Sequence, residues 1–189
     1  MSRPRTSGVR TLALVLCLGC ASASAADQIL TPDGLDPVKI GMTVEQAEQA
    51  LGAKLAPLDT ADGYSTEACW ETQRLGDPDP AILYMIRHGE IVRIDITRYE
   101  QKPYWTDENI PAIASEKGVH IRDPDVKAAK AHGTATISSN PFGKRPDDYY
   151  ATIFTQDKQR GVVFEIWDHY VYRMRAGLAD AIQLPEGCP

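Results

Sequence analysis

The tightest constraint on this chain is an internal repeat. Val38, Ile40, Ala47 and Gly52 recur as Val119, Ile121, Ala128 and Gly133 at an offset of 81 positions. Ile86, Ile91, Arg93 and Ile94 recur as Ile166, Val171, Arg173 and Met174 at an offset of 80, so the segment after the helix is one residue shorter in the second copy. A duplicated module without a recognisable catalytic constellation points to a binding surface more than to an enzyme pocket.

Within the first copy, Leu35 to Ile40 reads as a short extended run. Thr43 with Gln46 three residues later forms a capping box, which predicts a helix from Val44 to Leu51 ended by Gly52, with Val44, Ala47 and Leu51 facing inward. A strand is expected around Ala68 to Gln73, then a hairpin of Ala81 to Arg87 and Glu90 to Arg98 turning at His88-Gly89. Val92, Ile94 and Ile96 alternate with Arg93, Asp95 and Thr97, the period of a sheet with one buried and one polar face. In the second copy Asp123-Pro124 predicts an N-cap and first helical residue, with the helix ending at His132 before Gly133. Ser138 to Asp148 reads as a polar loop, and Val162 to Trp167 and Tyr170 to Arg175 as a hairpin turning at Asp168-His169, with Tyr170, Tyr172 and Met174 inward. The expected fold is α+β: two tandem copies of a short helix followed by an antiparallel sheet, at 27–100 and 112–189, joined by a junction at 101–111 and fused into one compact unit.

Residues 1–26 have the zones of an export signal: Arg3, Arg5 and Arg10, an apolar run from Leu12 to Leu18, then small residues. Ala23-Ser24-Ala25 is a small-x-small cleavage site, whereas Leu18-Gly19-Cys20 reads as the end of a lipobox that would place a lipid tether on Cys20. The two routes lead to a periplasmic or secreted protein and to an outer-membrane lipoprotein, respectively. No apolar run approaches the roughly 20 residues of a membrane-spanning helix. Removing the signal takes the charge from 20 basic and 26 acidic residues to 17 and 26, a net of −9. That balance argues against nucleic acid, whose phosphates demand a basic footprint, and it favours basic partners if it has any role beyond solubility. The mature part keeps Cys69 and Cys188, which in an oxidising compartment read as one disulfide tying the C-terminal end back to the first copy.

The run Ile40-Gly41-Met42-Thr43, then Ala47, then Leu51-Gly52, resembles the opening of the small envelope lipoproteins that assist outer-membrane assembly. The Cys69-Trp70 strand and the Tyr84-x-Ile86-x-x-Gly89-x-Ile91 hairpin fit the same pattern. A tandem pair of such modules is similar to β-lactamase inhibitory protein, and the ending Glu186-Gly187-Cys188 resembles secreted proteobacterial proteins of this layout. The second copy departs from the pattern, with Arg122-Asp123-Pro124 in place of Gly-Met-Thr and Tyr149-Tyr150 in place of Cys69-Trp70. The resemblance implies helices packed on one side of a sheet whose open face binds an enzyme.

Candidate chemistry is sparse. His88 and His169 fall at hairpin tips, His120 on a strand and His132 at a helix end; none has the spacing of a zinc pair, and no nucleophile elbow is present. No metal or cofactor is implied. A surface is better supported: the polar face of the two sheets gathers Leu83, Met85, Arg93 and Asp95 with Glu165, Trp167, Arg173 and Arg175, including the aromatic and arginine side chains that anchor interfaces. The competing structural reading packs Trp167 against a terminal segment and pairs the arginines with Glu165 and Asp95. Tyr104-Trp105 in the junction is either a protruding contact or an apolar plug. The functional expectation is a non-enzymatic, exported protein-binding module, most concretely an inhibitor or immunity protein that occludes an envelope-active hydrolase; the alternative is a structural protein of outer-membrane assembly or cell-wall attachment.

Overall fold

Short runs rich in valine and isoleucine, such as Ile91 to Ile96 and Val162 to Ile166, favour strands over helices. The computed structural model describes residues 28–58, 68–74, 82–97, 112–143 and 146–188, and among these it contains twelve strands and two helices. In chain order they are β1 (Gln28–Thr31), β2 (Gly34–Leu35), β3 (Val38–Lys39), α1 (Val44–Leu51), β4 (Leu55–Pro57), β5 (Cys69–Arg74), β6 (Ile82–Arg87), β7 (Glu90–Ile96) and β8 (Ile113–Ser115). They continue with α2 (Asp125–His132), β9 (Thr136–Ser139), β10 (Tyr149–Phe154), β11 (Arg160–Trp167) and β12 (Tyr170–Leu178). An eight-stranded antiparallel sheet has the order β4-β5-β6-β7-β12-β11-β10-β9, and a four-stranded sheet the order β3-β2-β1-β8, with β1 and β8 parallel.

This corrects the α+β expectation of two helix-plus-sheet copies. The described residues are mainly β, 48% strand against 12% helix, and both sheets draw strands from either side of the 101–111 junction. Energetics explain the bias. Each helix fully buries one residue, Ala47 or Ala128, whereas the large sheet buries Ile86, Ile91, Ile94, Ile96, Phe164, Ile166, Val171 and Met174, side chains worth about 1.5–3 kcal/mol each. The small sheet adds Leu30, Leu35, Val38 and Ile113 to that same core, so helices and small sheet together cover one face of the large one.

Both hairpins turn in two residues with positive φ, His88 (53°) and Gly89 (82°), Asp168 (50°) and His169 (67°). That geometry matches strand twist and brings Arg87 opposite Glu90 and Trp167 opposite Tyr170. Each hairpin then carries a bulge. Met85 faces Arg93 and Ile86 faces Ile91, leaving Val92 extra; Glu165 faces Arg173 and Ile166 faces Val171, leaving Tyr172 extra. A bulge changes which face the preceding residues occupy. Hence Val171, expected outward, is fully buried in the main core, and Val92, expected with Ile94, packs on the opposite side with Cys69 and Met85.

The helices hang from these hairpins by equivalent main-chain bonds. Gly41 N–H donates to Ile91 O, Ile91 N–H to Met42 O and Val44 N–H to Gly89 O; Arg122 N–H donates to Val171 O, Val171 N–H to Asp123 O and Asp125 N–H to His169 O. α1 has the expected reciprocal capping box between Thr43 and Gln46 and ends at Gly52 in the left-handed region. α2 differs from expectation: Pro124 occupies the cap position without a side-chain cap bond. The Asp123 carboxylate instead accepts from the His120 N–H at 2.6 Å and the Lys127 ammonium at 2.7 Å. At its other end α2 is tied down by His132, whose Nε2 lies 3.2 Å from Ser115 Oγ and whose ring lies 5.0 Å from that of Phe164.

The halves of the large sheet meet where β7 pairs with β12, Asp95 opposite Arg175 and Arg93 opposite Gly177. A Cβ on Gly177 would sit 2.2 Å from Val92 O, and its φ of +152° disfavours any side chain. Gly177→Ala is expected to cost about 2 kcal/mol or more, read as a lowered denaturant midpoint. A second expectation concerns acid. Burial pushes His132 below its ordinary value of 6.5, Glu116 opposes this and Lys117 reinforces it. The folded state therefore binds fewer protons than the unfolded chain, so this contribution to stability is present above pH 6.5 and lost as pH falls below it. His132→Gln should flatten the stability profile across that window in pH-dependent unfolding.

Candidate functional site

The second face of the large sheet begins with alternation: Arg93 and Asp95 on β7, Arg173 and Arg175 on β12 and Glu165 on β11 point away from the isoleucine core. Charges so placed would ordinarily be solvated. Here residues 179–188 fold back over them as a strap, with Ala181 and Ile182 fully buried against the sheet. The Cys69–Cys188 disulfide, spanning 119 residues, pins the strap to β5.

Arg93 is 2% exposed and organises the covered region. Its Nε donates to Asp95 Oδ2 at 2.6 Å, Nη2 to Glu71 Oε1 at 3.0 Å, and Nη1 to the carbonyls of Ala181 at 3.1 Å and Leu184 at 2.9 Å. Arg175, 1% exposed, donates from Nη1 to Leu184 O at 3.1 Å, and its guanidinium lies 4.8 Å from the centre of the Tyr150 ring. Glu165 Oε1 accepts from the Trp167 indole N–H at 2.7 Å and from Asn140 at 3.4 Å, while the Tyr150 hydroxyl donates to Asn140 Oδ1 at 3.1 Å. Burial and the neighbouring Asp95 push the Glu71 carboxyl upward, against the pull of Arg93 and Arg173. Burial, then Glu165, likewise raises Tyr150.

The structure therefore brings the expected face residues together and covers most of them. Met85, Arg93, Asp95, Glu165 and Arg175 are buried, while Leu83, Trp167 and Arg173 are half-buried. The Trp167 and Tyr172 rings lie 5.5 Å apart at the hairpin end of the face, where Tyr170, directly opposite Trp167, is 49% exposed. Tyr104, Trp105 and Cys20 lie outside the described residues. Sequence reasoning missed Glu71, Asn140 and Tyr150 as members of this network; its competing structural reading had a terminal segment on this face and arginines paired with Glu165 and Asp95, of which the Arg93–Asp95 pair is present, but it did not extend that segment over the arginines as a roof. The signal was present: Ala181, Ile182 and Leu184 precede the cysteine expected to return to Cys69.

Among the described residues no helix is long and apolar enough to cross a membrane. Buried Asp95 Oδ1 has no hydrogen-bond partner among them either, so the Asp95 charge relies on Arg93. Arg93→Leu would strand two carboxylates, and it is expected to cost about 3–5 kcal/mol in denaturant unfolding. Comparison of the chain with protein-family models, with curated proteins and with solved structures finds no match, so the resemblance to inhibitor and lipoprotein modules stays an expectation.

Proposed function

We propose that this is an exported protein-binding protein, most concretely an inhibitor or immunity protein that occludes an envelope-active hydrolase. The observation that carries the reading is the aromatic group at the hairpin end of β11 and β12. The Trp167 and Tyr172 rings meet at a tilt of 36°, Tyr170 stands across from Trp167, half exposed, and the bond from the Trp167 indole to Glu165 orients the tryptophan ring. Tryptophan and tyrosine held in place bury much area at low entropic cost, which is the property of interface hot spots. Arg173, half-buried on the same face, supplies positive charge next to them.

The test is capture from the source organism's envelope and secreted fractions with residues 27–189 as bait, followed by activity measurements on any hydrolase recovered. Wild type should inhibit the captured enzyme, and the double variant Trp167→Ala/Arg173→Ala should bind about tenfold or more weakly while still unfolding in one cooperative transition. Unchanged affinity would remove this face from the reading. Recovery of outer-membrane assembly proteins instead would favour the structural role.

A further inference from the structure

A second feature of the same half lies at the β9 edge of the large sheet. Between α2 and β9–β10 is a cleft of about 210 Å³. It exists because the facing side chains are small: Ala128 and Ala129 of α2 look toward Ala135 and Ala151, over a floor that includes Phe164. Among its lining residues Asp125 is the sole charged one. The Asp125 side chain is 14% exposed, and its Oδ2 accepts from the Tyr149 hydroxyl at 3.2 Å and lies 3.4 Å from His169 Nδ1. The other His169 nitrogen is 3.0 Å from Asp147 Oδ2. Burial and Asp125 push Tyr149 up to about 12, so the phenol keeps its proton at neutral pH.

β9 forms one rim of this cleft. All four of its residues are exposed, it pairs only with β10 among the described residues, and Ile137, 61% exposed, belongs to the cleft lining. The strand has neither charge nor proline, the features that normally guard an open edge. The edge at the other end of the sheet, β4, does contain one, Pro57.

We propose that β9 and this cleft form a docking site for an extended, lysine-bearing segment of the partner protein, which adds a strand to β9 and lays its lysine between α2 and β10 with the ammonium on Asp125. This rests on the protein-binding reading and specifies its partner chemistry. Three observations select the occupant. The volume is below the roughly 300–1,000 Å³ of pockets that enclose whole small molecules, so it suits one side chain. Walls of alanine, isoleucine and aromatic side chains with a single carboxylate complement an apolar four-carbon stem ending in one positive charge. An arginine fork prefers two carboxylate oxygens, and Oδ2 already accepts from Tyr149 and sits beside His169. An extended segment satisfies the open edge by main-chain bonding while alternate side chains reach the cleft.

The test is titration of ¹⁵N-labelled protein, residues 27–189, with the capped heptapeptide Thr-Val-Thr-Lys-Thr-Val-Thr and with its norleucine counterpart, followed by amide shifts. The lysine peptide should move amides of β9 and α2 and bind about tenfold tighter than the norleucine peptide. Asp125→Asn should bring the two to parity, and Ala129→Leu, at an exposed helix position, should block both. Equal affinity for the two peptides, indifference to Asp125→Asn, no binding of either peptide, or self-association through β9 that excludes them would overturn the proposal. Partner capture that survives Asp125→Asn but not the Trp167 and Arg173 changes would overturn this site while leaving the protein-binding reading intact. Peptide binding in a protein that captures no partner would do the reverse.

Discussion

The Arg93 guanidinium is the interaction on which the second layer of this protein depends. One side chain donates to Glu71 on β5, to Asp95 on its own strand, and to two carbonyls of the strap. Few other residues can do this: the planar fork supplies five donors in fixed directions. A buried ion pair is weak ground for net stability, because desolvation offsets most of its attraction. Its effect here is geometric, fixing where the strap lies so that Ala181 and Ile182 can cover the sheet. The disulfide acts on the unfolded chain, where closing a loop of 119 residues contributes about 4–5 kcal/mol in the chain-entropy model.

The internal repeat is broken at this network in an instructive way. Arg93 corresponds to Arg173, but Asp95 corresponds to Arg175, and in the sheet the unlike pair Asp95 and Arg175 stand opposite each other across the seam. The acid serves Arg93 in the first half, whereas Arg175 turns to Tyr150 and the strap in the second. The strap is bonded to β5 through Cys188, on the side of the first half, and the hairpin end of the second half keeps its aromatic rings in contact with solvent. The strap covers both halves, Ala181 against Met85 and Val92 and Ile182 against Tyr150 and Val163, and the second half differs in the aromatic rings left at its hairpin end.

Much of this was legible in the chain, and the exceptions share a cause. The α1 cap, both two-residue turns, the cysteine pairing and the grouping of Arg93, Asp95, Glu165 and Arg175 on one face all follow from local pattern or alternation. The bulges at Val92 and Tyr172 do not, since a single extra residue leaves the hydrophobic pattern intact while reversing which side Val171 faces. The pairing of β1 with β8 joins segments of three or four residues, too short to carry a period. Asp123 beside Pro124 looks like a helix cap until the competing His120 N–H is placed next to it. Alternation told which residues share a face; only the tertiary return of the strap decides which of them water reaches.

The pairing of β7 with β12 also sets an order of events. When the chain emerges from the ribosome amino end first, β5 to β7 are present long before β12. During that interval β7 is an open edge rich in isoleucine, and the Cys69 thiol waits for a cysteine 119 residues downstream. Arrival of β12 closes the edge, and arrival of the strap consumes the thiol and shuts the polar face. The half-made protein is therefore the hazardous species, exposed to strand exchange and wrong disulfides, and a holding factor acting on the first half would have its greatest effect before the second half appears.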